Sequence, residues 1–498
     1  MTTSVETKYE SVIGLEVHAQ LLTRSKMFCS CRADYQGADP NTTVCPVCLG
    51  MPGVLPVINQ RAVEFVIMTG LALNCTINRE TKFDRKNYPY PDLMKGYQIS
   101  QFDQPLASDG WMMISVDGEE KRAGITRVHL EEDVAKLFHR ADASGEAYSL
   151  LDVNRAGVPL MEVVGEPDLR SPEEARQYLI TLRTILQYLG VSTCNMEEGS
   201  FRCDANISIR LRGDEEYGVK VEVKNMNSFR SVYRALEYEF ERQVRLVEDG
   251  GHIAQETRGW VDDTAVTTSQ RSKEYAHDYR FFPEPDLPPL VVTPQWVDDL
   301  RAGLPELPRT RSDRYVTQFG LPQYDADLLT ASKATADFFE LVIAVGDRQD
   351  DVLQQRAKAA GNWMLGNVAR LLNASGQEVG ESRLQPEHLA GLLDLLDAGT
   401  LSTTLAKSVL EETFATGKPP ADVVKEQGVS QITDTASIEP VVTEAIAAND
   451  GAVADYLKGK DTAIRFLVGQ VMKLTRGQAN PEMVAQVLKE KLGAMRDK

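Results

Sequence analysis

Polar and apolar residues alternate with a period of two in several stretches of the first half of the chain. That alternation puts neighbouring side chains on opposite faces of a strand, one buried and one polar. Around residue 16, Ile13, Leu15, Val17 and Ala19 form one face, while Glu16 and His18 form the other. Between 204 and 211, Ile207, Ile209 and Leu211 oppose Asp204, Asn206, Ser208 and Arg210. Between 219 and 224, three valines alternate with Lys220, Glu222 and Lys224. Two helices interrupt the strands. Ser171 can cap the first, Pro172 suits its first turn, Glu173 and Glu174 suit its positive end, and Gly190 can close it. The second is predicted over 228–249, before Gly250 and Gly251.

Pro283, Pro285, Pro288, Pro289 and Pro294 crowd one stretch where neither helix nor central strand continues. A domain boundary is therefore expected at 294. Beyond it the pattern is helical, for example over 332–345. A further helical segment with its own caps follows Gly399, ending in a helix opened by Asn480 and Pro481. Met483, Val484, Val487, Leu488 and Leu492 form the apolar stripe of that last helix. The expected fold class is α+β: a strand-rich domain at 1–294, an all-helical domain at 295–402 and a helical tail at 403–498.

A chain of 498 residues is too long for a single core, which agrees with this division. The start carries no basic and apolar leader, and no apolar run reaches the ~18 residues of a membrane span, so a cytoplasmic protein is expected. Acidic residues number 73 against 54 basic ones, a net charge of −19 that by itself disfavours binding to nucleic acid. The charge is uneven: from 456 to 498, nine Lys/Arg stand against four Asp/Glu, a net of +5.

Seven cysteines, an odd number, argue for metal binding or free thiols rather than a disulfide framework. Cys29 and Cys31 precede Cys45 and Cys48, with Gly50 and Gly53 nearby for tight turns. Two close pairs can bring four thiolates around a structural zinc ion. Other chemistry gathers on the polar strand faces. Glu16 and His18 share one, His129, Glu131, Glu132 and Asp133 crowd five positions, Glu162 breaks an apolar run, and Asp204 and Asn206 share another. Carboxylates with a histidine suit magnesium, and through it the phosphates of ATP. Lys86, Lys220 and Lys224 could neutralise phosphate charge. No phosphate-binding G-x-x-x-x-G-K-[ST] loop and no protein-kinase signature is present, nor a Ser-Ser-Lys amidase stretch or a glutaminase-like Cys–His pattern. The chain is therefore not expected to release ammonia itself.

Ordered motifs extend the reading. IGLEVH (13–18), RKNY (85–88), KGYQISQ (95–101), HLEED (129–133), MEEGSFRCDANISIR (196–210), QETRGW (255–260), RSKEYAHDYRFFPEPDL (271–287), LPELP (304–308) and FLVGQVMK (466–473) resemble the B-subunit family of tRNA-dependent amidotransferases over nearly the whole chain. The resemblance implies a strand-rich cradle holding a kinase/transamidase site, a helical domain and a YqeY-like tail, the last two holding tRNA. It implies work in a heterotrimer, with a glutamine-hydrolysing amidase and a third, small subunit. ATP and Mg2+ would phosphorylate the side-chain carboxylate of Glu or Asp on mischarged tRNA, and ammonia from the amidase would displace the phosphate. The family's catalytic and magnesium positions map onto Glu16, His18, the Glu131/Glu132 pair, Glu162 and Asp204, with Lys86, Asn206, Glu222 and Lys224 toward the nucleotide. The quartet Cys29, Cys31, Cys45 and Cys48 resembles that of members that keep zinc. Pro89 and Met94 depart from the usual pattern, so the loop around them is expected to differ in shape. The alternative from another class is a non-catalytic, zinc-containing tRNA-binding scaffold.

Overall fold

The computed structural model describes residues 8–272, 279–346, 350–428, 435–458, 460, 462–475 and 478–496. Contacts divide the chain into two compact units, Met1–Leu307 and Pro308–Lys498.

The first unit is built on a twelve-stranded sheet. Seven strands concern the site: β1 (Tyr9–Gln20), β2 (Asp84–Asn87), β3 (Tyr97–Ser100), β4 (Glu119–Glu132), β5 (Pro159–Gly165), β6 (Phe201–Leu211) and β7 (Val221–Lys224). They lie in the order β7-β6-β1-β5-β4-β3-β2, each antiparallel to the next. An antiparallel sheet can bury one face and leave the other for solvent or function. Here Ile13, Leu15, Val17 and Ala19 are buried, as their phase requires, while Glu16 and His18 stand half-buried on the opposite face. Three helices contribute to the core on the apolar side: α1 (Gln60–Ala72), α2 (Pro172–Leu189) and α3 (Phe229–Glu248). Their Val63, Ile67, Leu179, Leu182, Val232 and Leu236 join the strand residues in one core.

The helix ends follow the sequence signals. Ser171 Oγ accepts the Glu174 N–H at 3.1 Å, and Gly190 closes α2 in the left-handed conformation. Ser228 Oγ accepts the Ser231 N–H at 3.0 Å at the start of α3. One strand is shorter than expected: Val219 lies outside β7 and is exposed, whereas Val221 and Val223 are buried.

The first boundary moves. Helix α4 (Pro294–Ala302) belongs to the first unit, because Trp296, Val297 and Leu300 pack against its core. The proline cluster ends the strands, but the amphipathic segment after it still finds its apolar partner in the first core. That unit therefore ends at Leu307 rather than at 294.

The second unit is helical throughout its described residues. It has two cores, one gathering residues from Tyr315 to Val423, the other from Ile438 to Leu492. The expected division at 402/403 would cut the first core, since Leu405, Ala406, Val409 and Leu410 belong to it. The last helix, Pro481–Arg496, is capped by Asn480, whose Oδ1 accepts the Glu482 N–H at 2.9 Å. Val484, Val487, Leu488 and Leu492 are buried as the stripe predicts, with Met483 at the edge of that core. Among the described residues, no helix is long and apolar enough to cross a membrane.

Candidate functional site

Directly paired residues of antiparallel strands project from the same face. His18 on β1 pairs with Glu162 on β5 and with Arg202 on β6, and Glu162 pairs in turn with His129 on β4. Two positions earlier on β1, Glu16 pairs with Asp204. Asn206 pairs with Glu222 on β7. A row of ionisable groups thus crosses the polar face over five strands.

The centre of the row is tight. His18 Nε2 lies 3.4 Å from Glu162 Oε2 and 3.6 Å from Glu131 Oε1. His129 Nε2 lies 3.2 Å from the same Glu162 oxygen. Ser100 Oγ on β3 donates to Glu131 Oε2 at 3.2 Å. One ligand atom each from His18, Glu131 and Glu162 falls within 4.8 Å of the others. Beside this cluster, Asn206 Nδ2 donates to Glu16 Oε1 at 2.9 Å. Lys224 Nζ pairs with Asp204 and sits 3.0 Å from Glu222 Oε1.

Burial disfavours charge on His18, yet Glu162 and Glu131 beside it hold its pKa up at about 9. Burial also works against a charged Glu162, but His129 and His18 keep its carboxyl well below the usual carboxylate range. The pair is therefore ionic at neutral pH when no cation competes. A raised imidazole pKa contributes stability that is complete below its unfolded value of about 6.5 and lost as pH rises. In protein without added divalent cation, that loss is centred on about 9. The urea midpoint of the wild type is expected to fall between pH 7 and pH 10, with a smaller fall in His18→Gln. Parallel pH profiles for the two proteins would refute the ion pair.

Two carboxylates and an imidazole converging on one point form a donor set for a divalent cation. A further polar atom, His129 Nδ1, is buried among the described residues without a hydrogen-bond partner. Along the same face, bounded by Glu16 and Asn206, is a cavity of about 300 Å³. Its walls include Val12, Gly14, Glu16, Asn206, Ser208 and Lys220. Oxygen, amide, hydroxyl and ammonium groups on these walls offer hydrogen bonds and positive charge to a polyanion.

Of the residues expected from sequence, Glu16, His18, Lys86, Glu131, Glu162, Asp204, Asn206, Glu222 and Lys224 share this face, Lys86 through its partner Gln98, two positions from the Ser100 that pairs with Glu131. One does not. Glu132 projects from the other side of β4, where it pairs with Lys95 and accepts the Ile99 N–H at 3.0 Å. The phase of β4 explains this: Val128 and Leu130 are buried, and Glu132 continues their side of the strand. The acid that joins His18 is therefore Glu131. Lys86 on β2 lies over the rings of Tyr279 and Tyr88, at 5.0 and 6.0 Å from their centroids. Sequence reading missed Arg202 as a site residue and gave His129, named in the acidic cluster, no separate role. Both signals were present, since Arg202 shares the phase of Asp204 and Asn206, and His129 that of Glu131.

Two distant motifs meet for a structural reason. Arg85 of RKNY forms a two-pronged ion pair with Glu284 of the FFPEPD stretch, both contacts at 2.7 Å. His277 and Asp278 of that stretch lie outside the described residues.

The cysteine quartet closes as its spacing predicts. The sulfurs of Cys29, Cys31, Cys45 and Cys48 lie within 4.8 Å of one another. Cys45 and Cys48 are 3.8 Å apart, about the separation of two thiolates on a tetrahedral zinc with ~2.3 Å bonds. Gly50 and Gly53 turn the chain there at positive φ. Hydrogen bonding from Cys29, helped by the Cys45 N–H and Lys26 against the effect of burial, draws the Cys48 thiol down to about 5. Its partner Cys29 is pushed up by holding that hydrogen bond. A thiolate is thus ready in the quartet, and the site fits a metal ion. Among the described residues no cysteine forms a disulfide.

Comparison with known proteins agrees with this geometry. Residues 11–298 match the model of the GatB/GatE catalytic domain, and residues 338–492 match the GatB domain. The chain is 57% identical to the B subunit of the aspartyl/glutamyl-tRNA(Asn/Gln) amidotransferase of Dehalococcoides mccartyi strain CBDB1 over 488 residues, 98% of this chain and 99% of the relative. The protein of the same name from Moorella thermoacetica is 56% identical over 485 residues, 97% of this chain and 100% of the relative. That from Carboxydothermus hydrogenoformans is 54% identical over 488 residues, 98% of this chain and 100% of the relative.

Proposed function

The chain belongs to the B-subunit family of tRNA-dependent amidotransferases, and from that premise we propose that it activates and amidates the acidic side chain of a mischarged aminoacyl-tRNA in the cytoplasm. The observation that carries this reading is the gathering of Glu16, His18, Glu131, Glu162 and Asp204 on one sheet face that also holds a cavity walled in part by Glu16, Asn206 and Lys220.

A carboxylate is a poor acyl donor because its leaving group would be oxide. Transfer of the γ-phosphoryl group of ATP to a carboxylate oxygen makes an acyl phosphate and releases ADP. Ammonia then attacks the carbonyl carbon, the C–O bond to phosphate breaks, and the surplus proton leaves with phosphate. The residues divide the work by position. Asn206, Ser208 and Lys220 on the cavity walls hold the nucleotide, with Glu16 held by Asn206 at the cavity's edge. Asp204 and Glu222 fix the Lys224 ammonium beside them, where it can offset developing phosphate charge. A Mg2+ ion held by His18, Glu131 and Glu162 would, when bound, neutralise the phosphate oxygens and orient them for in-line transfer. A zinc ion in the cysteine quartet would serve the fold rather than the reaction, since all four ligands come from the protein.

The family's amidase and its small third subunit are the proposed partners in a heterotrimer, with the amidase supplying the ammonia. The basic segment of the tail is the proposed tRNA contact. Part of its charge is used internally, through Lys460–Asp455 at 3.1 Å and Lys491–Glu439 at 2.8 Å. Nothing favours the scaffold alternative, for which an ion-pair cluster and a polar cavity on one face have no purpose. The test is direct. The assembled complex, given mischarged tRNA, ATP and glutamine, should form one amidated tRNA for each ATP consumed. No ATP-dependent amide formation would overturn the proposal.

A further inference from the structure

Arg202 pairs in register with His18 and so borders the cation cluster, but it is not among the walls of the nucleotide cavity. Its guanidinium is held on one side only. Nη2 donates to Asp133 Oδ2 at 2.9 Å, and no other hydrogen bond is made by this side chain among the described residues. The side chain remains 35% exposed while Asp133 is almost fully buried. Asp133 is itself fixed, accepting from Gln20 Nε2 at 2.8 Å and from the Val134 N–H at 2.9 Å. The result is a planar cation anchored at one edge, with its remaining N–H groups available beside His18.

The chemistry supplies the reason for such a group. The acceptor is a carboxylate that must approach Glu16, Glu131, Glu162 and Asp204, all of one sign. The Lys224 ammonium is engaged with Asp204 and Glu222. An arginine fork matches a carboxylate in shape as well as in charge. We propose that Arg202 grips the side-chain carboxylate of the aminoacyl group, admitting an acidic aminoacyl end and rejecting its amide. This inference rests on the activity proposed above. It adds a consequence: amidation removes the charge that Arg202 holds, so the product loses its grip as it forms.

The experiment uses the assembled complex carrying Arg202→Gln or Arg202→Lys. Kinetics are measured on Glu-tRNA(Gln), with Gln-tRNA(Gln) and uncharged tRNA as competing inhibitors. The wild type should bind the acidic form in preference to the amide. Arg202→Gln should lose about 100-fold in kcat/KM, chiefly through KM, and the preference should collapse. Arg202→Lys should keep the charge but lose the fork, falling about tenfold. Inhibition by uncharged tRNA should be unchanged in both. An active Arg202→Gln complex that still discriminates acid from amide overturns this inference alone. So does a variant that loses uncharged tRNA equally, since that is a structural effect. A wild-type complex that consumes no ATP with mischarged tRNA overturns the activity itself, and the inference with it.

Discussion

Glu162→Gln is expected to lower acyl-phosphate formation by about 1,000-fold or more while leaving tRNA affinity unchanged. One oxygen of Glu162 lies 3.4 Å from His18 and 3.2 Å from His129, so this carboxylate ties together both histidines and the cation site. The amide keeps the shape but removes the charge. With it go one ligand for the cation and the partner that keeps His18 protonated in the cation-free protein. His18→Ala should fail at the same step for the complementary reason, since it removes the imidazole ligand and leaves two buried acids facing each other. The measurement is single-turnover ATP consumption with mischarged tRNA in the assembled complex, beside a filter-binding affinity for the tRNA. Glu132→Gln is the contrasting variant. Glu132 pairs with Lys95 on the far side of β4, so its loss should cost some stability and leave phosphoryl transfer within about tenfold of wild type. A Glu162→Gln enzyme that transfers phosphate within tenfold of wild type would remove this cluster from the mechanism.

Cys48→Ser is expected to abolish zinc retention and to destabilise the first unit by about 4 kcal/mol. For a unit of this size that corresponds to a fall in Tm of roughly 5–10 °C. Cys48 is the buried thiol of the quartet and the one already drawn toward its thiolate form. Serine offers zinc a far weaker ligand and leaves the other three sulfurs crowded without a counter-ion. Metal content by mass spectrometry and unfolding by calorimetry should change together. Zinc retained in equal amount with an unaltered Tm would show that the quartet is four ordinary thiols. Cys194→Ser provides the control, because Cys194 is buried in the main core and belongs to no cluster of metal-ligating residues among those described.

Much of the site was legible because its carriers are strands. In β1 and β6, the phase of Ile13, Leu15 and Val17, and of Ile207 and Ile209, places Glu16, His18, Asp204 and Asn206 on the opposite face. The same rule, applied to Val128 and Leu130, separates Glu131 from Glu132. Lys86 shares the phase of Ser100 and Glu131 across β2, β3 and β4, where it lies against the rings of Tyr88 and Tyr279. The phase that Arg202 shares with Asp204 marks it for the polar face, but its place in the site depends on pairing with His18, a residue nearly two hundred positions away. No periodicity within 196–210 reports that register.

The amino-acid order by itself determined what local geometry can enforce: which face of each strand is polar, where α2 and α3 begin and end, and that four cysteines could close on one ion. Each depends on residues a few positions apart, within reach of a turn or a pleat. Only the tertiary structure decided which strands lie side by side, and hence that His18, Glu131 and Glu162 meet while Glu132 does not. It also decided where the units end, because Trp296 and Leu405 join whichever core can bury them, whatever prolines or glycines stand nearby. Such choices are settled by burial summed over many distant residues, a quantity no short window of sequence contains.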